Sequence, residues 1–238
     1  MNNIQNKVII LTGASKGIGR ITAKRLAPYN PKLVLVSRNL LELEKVRDEL
    51  DFDQNNILLI EANVSIEKDC KKIIDETVHK FGTVDILINN AAQFNRSKII
   101  DLKISDFDRV WNTNVRGVLM LTKYALQYMI IQNSGTILNI SSTSGKRGYV
   151  SGAAYAASKF ALNGMMECLL REVREYNIRV VTICPSMVDT RVKEEKELKQ
   201  GGKGVFMRAE DAADTIVLSL NLPQRALIKD IEIWGTNP

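Results

Sequence analysis

Tyr155 and Lys159 stand four residues apart in a segment whose apolar residues recur at helical spacing, so one helix face carries both side chains. A phenol titrates near pKa 10 and is a poor proton donor or acceptor at neutral pH. A cation within about 4–6 Å favours the phenolate and lowers that value by about 1–3 units. The spacing therefore predicts a general acid/base, with Lys159 drawing the Tyr155 phenol down. Ser142 lies thirteen residues before Tyr155 and ends the run Asn139-Ile140-Ser141-Ser142, which reads as the close of a strand. Open α/β sheets bind ligands at such strand ends, and a hydroxyl there can hold a reacting oxygen beside the phenol.

Tyr-x-x-x-Lys alone recurs by chance, and a second constellation supplies its context. The first apolar run leads into Thr12-Gly13-Ala14-Ser15-Lys16-Gly17-Ile18-Gly19 and then into a helical segment. Strand, glycine turn and helix in that order form the setting of a dinucleotide fingerprint. Gly13 permits the tight turn. Gly17 and Gly19 remove side chains where a pyrophosphate and the facing strand approach the helix N-terminus, whose free N–H groups attract anions. Ser15, Lys16 and Ile18 lie in the same turn and complete its candidate cofactor contacts, although the spacing Gly-x-x-x-Gly-x-Gly differs from G-x-G-x-x-G.

The second apolar run ends in Val36-Ser37-Arg38-Asn39. An NAD-binding unit of this kind places an Asp or Glu there for the ribose 2′-hydroxyl. Here a cation takes that place, and Arg38 with Lys16 is expected to bracket a 2′-phosphate. One or two charge-assisted bonds worth ~1.5–3 kcal/mol each favour NADP(H) over NAD(H) by tenfold or much more.

The elements that must position these groups are legible as an alternation. Short β-branched runs at Val8 to Leu11, Leu33 to Val36, Ile57 to Ile60, Val84 to Ile88, Thr136 to Ile140 and Arg179 to Ile183 read as buried parallel strands. Amphipathic segments lie between them at Ile18 to Pro28, Leu41 to Leu50, Glu67 to Phe81, Ser105 to Ile131 and Ala156 to Tyr176. A helix from Ala209 to Leu220 and a strand from Lys229 to Trp234 follow. The pattern predicts an α/β fold: a three-layer, doubly wound Rossmann arrangement with a mostly parallel sheet. No composition shift divides the chain, so residues 1–238 are expected to form one domain. The charged stretch Val192 to Gly204 predicts a mobile, substrate-covering segment near 189–207, or else a solvated helix that covers nothing.

Composition narrows the chemistry further. With one histidine, His79, among 238 residues, a Ser-His-Asp triad with a separate His is hard to supply and a His-rich metal site is excluded; no metal is expected. Cys70, Cys168 and Cys184 are far apart, form no CxxC pair, and read as buried residues of a cytoplasmic protein. No targeting signal opens the chain, and no run reaches the eighteen or so apolar residues of a membrane span. The net charge of +6 comes from scattered Lys and Arg, so neither nucleic acid nor membrane is expected as a partner.

Five motifs, in order, carry a family resemblance: Thr12 to Gly19; Asn89-Asn90-Ala91; Asn114 within Asn112-Thr113-Asn114-Val115-Arg116-Gly117; Ser142 with Tyr155 and Lys159; and Pro185 with Thr190. On these the chain resembles the short-chain dehydrogenase/reductases over essentially its full length. The resemblance implies a seven-stranded sheet and NAD(P)-dependent hydride transfer between a carbonyl and an alcohol, a small-molecule substrate in either direction. It implies that Tyr155 donates the proton in reduction, Ser142 orients the carbonyl, Lys159 also holds the nicotinamide ribose, and Asn114 anchors a water in a proton relay. Asn90 and Ala91 would line the adenosine ribose, Val188 and Thr190 would meet the nicotinamide amide, and Ile140 would lie behind its ring. A basic residue at Lys16 or Arg38 goes with NADP in that family.

Three departures stand out: Asn63-Val64 replaces the usual Asp-Val at the adenine, Ala92 follows Asn-Asn-Ala, and Ser186 follows Pro185. The type most resembled is 3-oxoacyl-(acyl-carrier-protein) reductase. The two positions where that type docks its acidic carrier hold Asn133 and Tyr176, neither basic, which counts against a carrier-protein substrate. Gln93, Phe94, Ser144 to Val150 and Met187 are candidate pocket residues. Family likeness also implies a homodimer or homotetramer built on Ser105 to Ile131 and Ala156 to Tyr176, with Phe160, Met165, Met166 and Leu169 either facing the partner or packing on their own sheet. A non-catalytic, cofactor-sensing Rossmann protein is the alternative, but it has no need of an activated tyrosine.

Overall fold

The computed structural model describes residues 3–51, 53–190 and 207–236. Its strands are β1 (Val8–Thr12), β2 (Lys32–Ser37), β3 (Ile57–Glu61), β4 (Ile86–Asn89), β5 (Gly135–Ile140), β6 (Ile178–Pro185), β7 (Val188–Asp189), β8 (Met207–Arg208) and β9 (Asp230–Ile233). Seven of them form one sheet in the order β3-β2-β1-β4-β5-β6-β9, every neighbouring pair parallel, while β7 and β8 pair separately. The helices are α1 (Gly17–Leu26), α2 (Leu40–Asp48), α3 (Glu67–Phe81), α4 (Ile104–Trp111), α5 (Val118–Ile131), α6 (Ala153–Glu172) and α7 (Ala209–Asn221).

The period-two alternation of each strand splits the core into two layers. Ile10, Val34, Val36, Leu87, Ile137 and Val180 face α3, α5 and α6. Ile9, Leu11, Leu33, Leu35, Ile88 and Val181 face α1, α2 and α7. This is the doubly wound α/β fold that the alternation of apolar runs predicts, and it sends every strand's C-terminal end to one edge.

Two expectations need correction, a third resolves between its two alternatives, and a fourth falls largely outside the described residues. The helix expected from Ser105 to Ile131 is α4 and α5 joined by a π-helical turn, Asn112–Gly117. The wider turn gives room where the chain meets the β3 exit: a Cβ on Gly117 would lie 2.6 Å from the Val64 carbonyl oxygen. Such a bulge shifts the phase of the apolar pattern by one residue, and the uniformly apolar run Val118-Leu119-Met120-Leu121 that follows hides the shift. Cys168 is exposed on α6, whereas Cys70 and Cys184 are buried and desolvation pushes their thiols up to about 12 and about 11. Met166 and Leu169 pack into the chain's own core, and Met165 packs partly against it, which leaves Phe160 as the exposed member of that set. Of the segment expected near 189–207, residues 191–206 lie outside the described residues; its ends meet as the β7–β8 pair. Among the described residues no His, Cys, Asp or Glu cluster could hold a metal ion, and no helix is long and apolar enough to cross a membrane.

Candidate functional site

The shared edge of the parallel strands gathers the candidate residues. Ser142 follows the last residue of β5 by two positions and starts a single 3-10 turn, Thr143–Gly145, its Oγ accepting the Ser144 N–H at 3.1 Å. Helix α6 begins at Ala153, so Tyr155 and Lys159 occupy its first two turns on one face. Lys159 is 2% exposed; its Nζ donates to the Ile140 carbonyl at 2.7 Å and lies 5.7 Å from the centre of the Tyr155 ring. Ile140 thus offers its backbone to the lysine, in addition to the place behind a nicotinamide that the resemblance implies for it.

Burial sets the charge states here. Desolvation pushes the Tyr155 phenol up to about 12, opposed by the hydrogen bond from Ser142. Desolvation also pulls Lys159 down to about 8. The sequence-based expectation that the cation lowers the phenol is therefore reversed in the net. The ammonium spends its hydrogen bond on a carbonyl, and the cost of placing a phenolate out of water wins. At neutral pH Tyr155 holds its proton and Lys159 holds its charge.

Asn114 lies in the π turn, 1% exposed, and bridges two elements. Its Oδ1 accepts the Gln93 N–H at 2.7 Å, while Nδ2 donates to the Gln93 carbonyl at 2.9 Å and to Ser158 Oγ at 3.0 Å. Ser158 donates in turn to the Tyr155 carbonyl at 2.7 Å. Three of the amide's four hydrogen-bonding positions thus hold protein, which leaves one Oδ1 lone pair for the water that the resemblance assigns to it. Ser158 escaped the sequence reading, and Gln93 was read only as a candidate pocket residue, not as a partner of Asn114. The available signal was Ser158's position three residues after Tyr155, on the buried side of α6.

The glycine turn leaves β1 with Gly13 at φ +66 and Gly17 at φ +54. A Cβ on Gly13 would lie 2.9 Å from Ala91 Cα, one on Gly17 would lie 3.2 Å from Thr190 Cβ, and one on Gly19 would strike the Gly13 carbonyl. Each glycine thus admits protein as well as any ligand, and Gly17 brings Thr190 against the turn. Thr12, to which sequence gave no separate role, accepts the N–H groups of Asn90 and Ala91, each at 3.0 Å. Asn90 Nδ2 donates to the carbonyls of Thr12 (2.8 Å) and Gly13 (3.2 Å), so its amide braces the turn. The N-terminus of α1 has no side-chain cap and no acidic residue in its first turn, so its leading N–H groups suit an anion beside Ser15 and Ile18.

Lys16 and Arg38 follow adjacent strands, since Thr12 of β1 is paired with Val36 of β2. Both are exposed and neither has an ion-pair partner among the described residues, whereas Arg20 and Lys24 nearby share Glu49. Asn63 uses Oδ1 to accept Ser65 N–H (3.1 Å) and Oγ–H (2.9 Å), a local Asx turn that keeps Nδ2 available. Val64 is buried, and its carbonyl accepts the Cys70 thiol at 3.1 Å. Pro185 ends β6 with its carbonyl 3.5 Å from Ser142 Oγ, and Val188 lies in β7.

A model of the short chain dehydrogenase family matches residues 7–201. The chain is a short-chain dehydrogenase. An uncharacterized oxidoreductase of Staphylococcus epidermidis is 30% identical to this dehydrogenase over 233 residues, covering 98% of the chain and 99% of the relative. A metagenomic short-chain oxidoreductase solved in complex with NADP is 26% identical, with TM-score 0.85 over 98% of this chain and 99% of that one. A short-chain dehydrogenase/reductase from Serratia marcescens is 28% identical, with TM-score 0.86 over 98% of each.

Within the dehydrogenase the family departures have local explanations. Ala92 does not adopt positive φ, so its methyl adds no backbone strain. Ser186 donates its N–H to the Ile233 carbonyl at 2.8 Å and thereby fastens the exit of β6 to β9. Phe94 meets the Tyr155 ring edge-on at 5.0 Å between centroids, which places it beside the candidate acid/base.

Proposed function

We propose that this dehydrogenase is an NADPH-dependent carbonyl reductase in which Tyr155 delivers the proton. The observation that carries the proposal is a desolvated phenol, protonated at neutral pH, hydrogen-bonded to Ser142 and lying over the Lys159 ammonium. Bound NADPH would supply the hydride. Gly13, Ser15, Lys16, Gly17, Ile18 and Gly19 would hold its pyrophosphate and Arg38 its 2′-phosphate. Asn63, Val64, Asn90 and Ala91 would face the adenosine half, and Pro185, Val188 and Thr190 the nicotinamide half, with Tyr155 and Lys159 at its ribose.

Ser142 orients the carbonyl oxygen, Tyr155 protonates it, and Lys159 stabilises the phenolate left behind. Asn114 keeps α6 in register with the loop after β4 through Gln93 and Ser158. Phe94 and the exposed Met187 favour a substrate with an apolar body. We further propose cytoplasmic operation as a homodimer or homotetramer, with Phe160 and Leu119 on the joining faces.

Oxidation of NADPH and NADH against aldehydes, ketones, quinones and 3-oxoacyl thioesters, with cofactor binding measured in parallel, tests the proposal. NADPH-linked turnover is expected. Tight NADPH binding without turnover on any carbonyl would favour the sensor alternative. Arg38→Asp is expected to weaken NADPH binding at least tenfold and to improve relative use of NADH, by loss of a charge-assisted bond and gain of a repulsion. An unchanged cofactor ratio would assign the 2′-phosphate to Lys16 alone.

A further inference from the structure

We propose that Asn163 is a positioning residue for the reduction: from the helix that carries Tyr155 and Lys159, it grips both flanks of Ser142 and fixes the serine hydroxyl against the phenol. The inference rests on the reductase reading of this site. Asn163 follows Lys159 by four residues and Tyr155 by eight, so the three form one stripe along α6. Each member touches the end of β5 or the turn after it. Lys159 takes the Ile140 carbonyl at 2.7 Å. Asn163 Oδ1 accepts the Ser141 hydroxyl at 2.6 Å, and its Nδ2 donates to the Gly145 carbonyl at 3.1 Å.

Ser142 needs that grip because, apart from its hydrogen bond with the Tyr155 phenol, its hydroxyl has two ties to the rest of the chain. It accepts one N–H from Ser144 at 3.1 Å and makes one long contact to the Pro185 carbonyl at 3.5 Å. The direction of the hydroxyl therefore follows the backbone on either side, which Asn163 holds at positions 141 and 145. Gly145 makes the close approach possible: a Cβ there would lie 2.6 Å from Asn163 Nδ2 and 3.0 Å from the Lys159 carbonyl oxygen. The next residue, Lys146, is anchored from the other side to Asp230 (2.8 Å) and Glu232 (3.0 Å) on β9. A turn clamped at both shoulders leaves the backbone on either side of Ser142 little room to shift. A misplacement of about 1 Å at a reacting group costs on the order of a hundredfold in rate.

Asn163→Leu keeps the branching and heavy-atom count and removes both hydrogen bonds. It is expected to lower kcat at least about tenfold while leaving NADPH affinity, read by nucleotide fluorescence, unchanged. Because Asn163 acts through Ser142, adding Asn163→Leu to Ser142→Ala should slow turnover by less than about twofold beyond Ser142→Ala alone. Gly145→Ala, which pries the same contact open from the turn side, should reproduce the loss of kcat. A readout independent of turnover is hydrogen exchange of the Ser144 amide, which is bonded to Ser142 Oγ and should exchange faster in Asn163→Leu. Full additivity with Ser142→Ala, or unaltered Ser144 exchange, would overturn the proposal. If the unsubstituted protein reduces no carbonyl, the reductase reading fails, and the exchange measurement alone then decides whether Asn163 holds the turn.

Discussion

Tyr155→Phe is expected to lower kcat at least a hundredfold while NADPH affinity changes by less than about twofold, since general acid catalysis supplies about 10²–10⁴ in rate. The substitution removes one oxygen and keeps the ring, so the edge contact with Phe94 at 5.0 Å survives. What disappears is the phenol proton that burial holds in place, while the Lys159 ammonium keeps its own hydrogen bond to the Ile140 carbonyl. Steady-state oxidation of NADPH with the best carbonyl found, together with fluorescence titration of the cofactor, checks both halves. Retained turnover would remove Tyr155 from the mechanism.

Lys159→Met is expected to cost about 10²–10³ in kcat, because the phenolate left after proton transfer would form in a desolvated site without a cation. It also changes stability with pH in a direction that can be worked out. In the folded chain Lys159 lies at about 8, against an ordinary value of 10.5. Between those values the unfolded chain binds the extra proton, so folding becomes more favourable as pH rises through the window. Below it, the folded state carries the full cost of a buried ammonium. The stability of the unsubstituted protein relative to Lys159→Met should therefore climb by roughly 3 kcal/mol from pH 8 to pH 10.5. Tyr155 runs the opposite way above its ordinary value of 10, but it is present in both proteins. Urea unfolding at a series of pH values reads the difference, and a flat difference would mean that the ammonium is well solvated.

The sheet was readable because its information is local. Val8 to Leu11 or Arg179 to Ile183 need only be largely apolar and β-branched to be buried strands, and both lie where expected, give or take two residues. The Tyr155–Lys159 pair was equally readable, since i,i+4 on a helix is geometry that spacing alone conveys. The sign of the phenol's shift was not. It depends on how much water the fold removes and on which acceptor the ammonium chooses, and Ile140's carbonyl is a backbone atom that no side-chain pattern marks. The bridges through Asn114, Gln93 and Ser158 are tertiary in the same way, joining residues 93, 114 and 158 across a π turn whose phase shift is hidden by the apolar run after it. Lys16 and Arg38 were legible by type; that both stand unpaired among the described residues required the folded neighbourhood.

The anchorage of Lys146 to Asp230 and Glu232 carries a consequence for biosynthesis. A ribosome adds roughly 5–20 residues per second, so several seconds separate the turn after Ser142 from the strand that steadies its outer shoulder. During that interval β6 is without its β9 neighbour, and its unpaired backbone is a template for another chain. Released chains truncated just before residue 230 should therefore be protease-sensitive around residues 143–147 and prone to associate, and both properties should be absent when β9 is present.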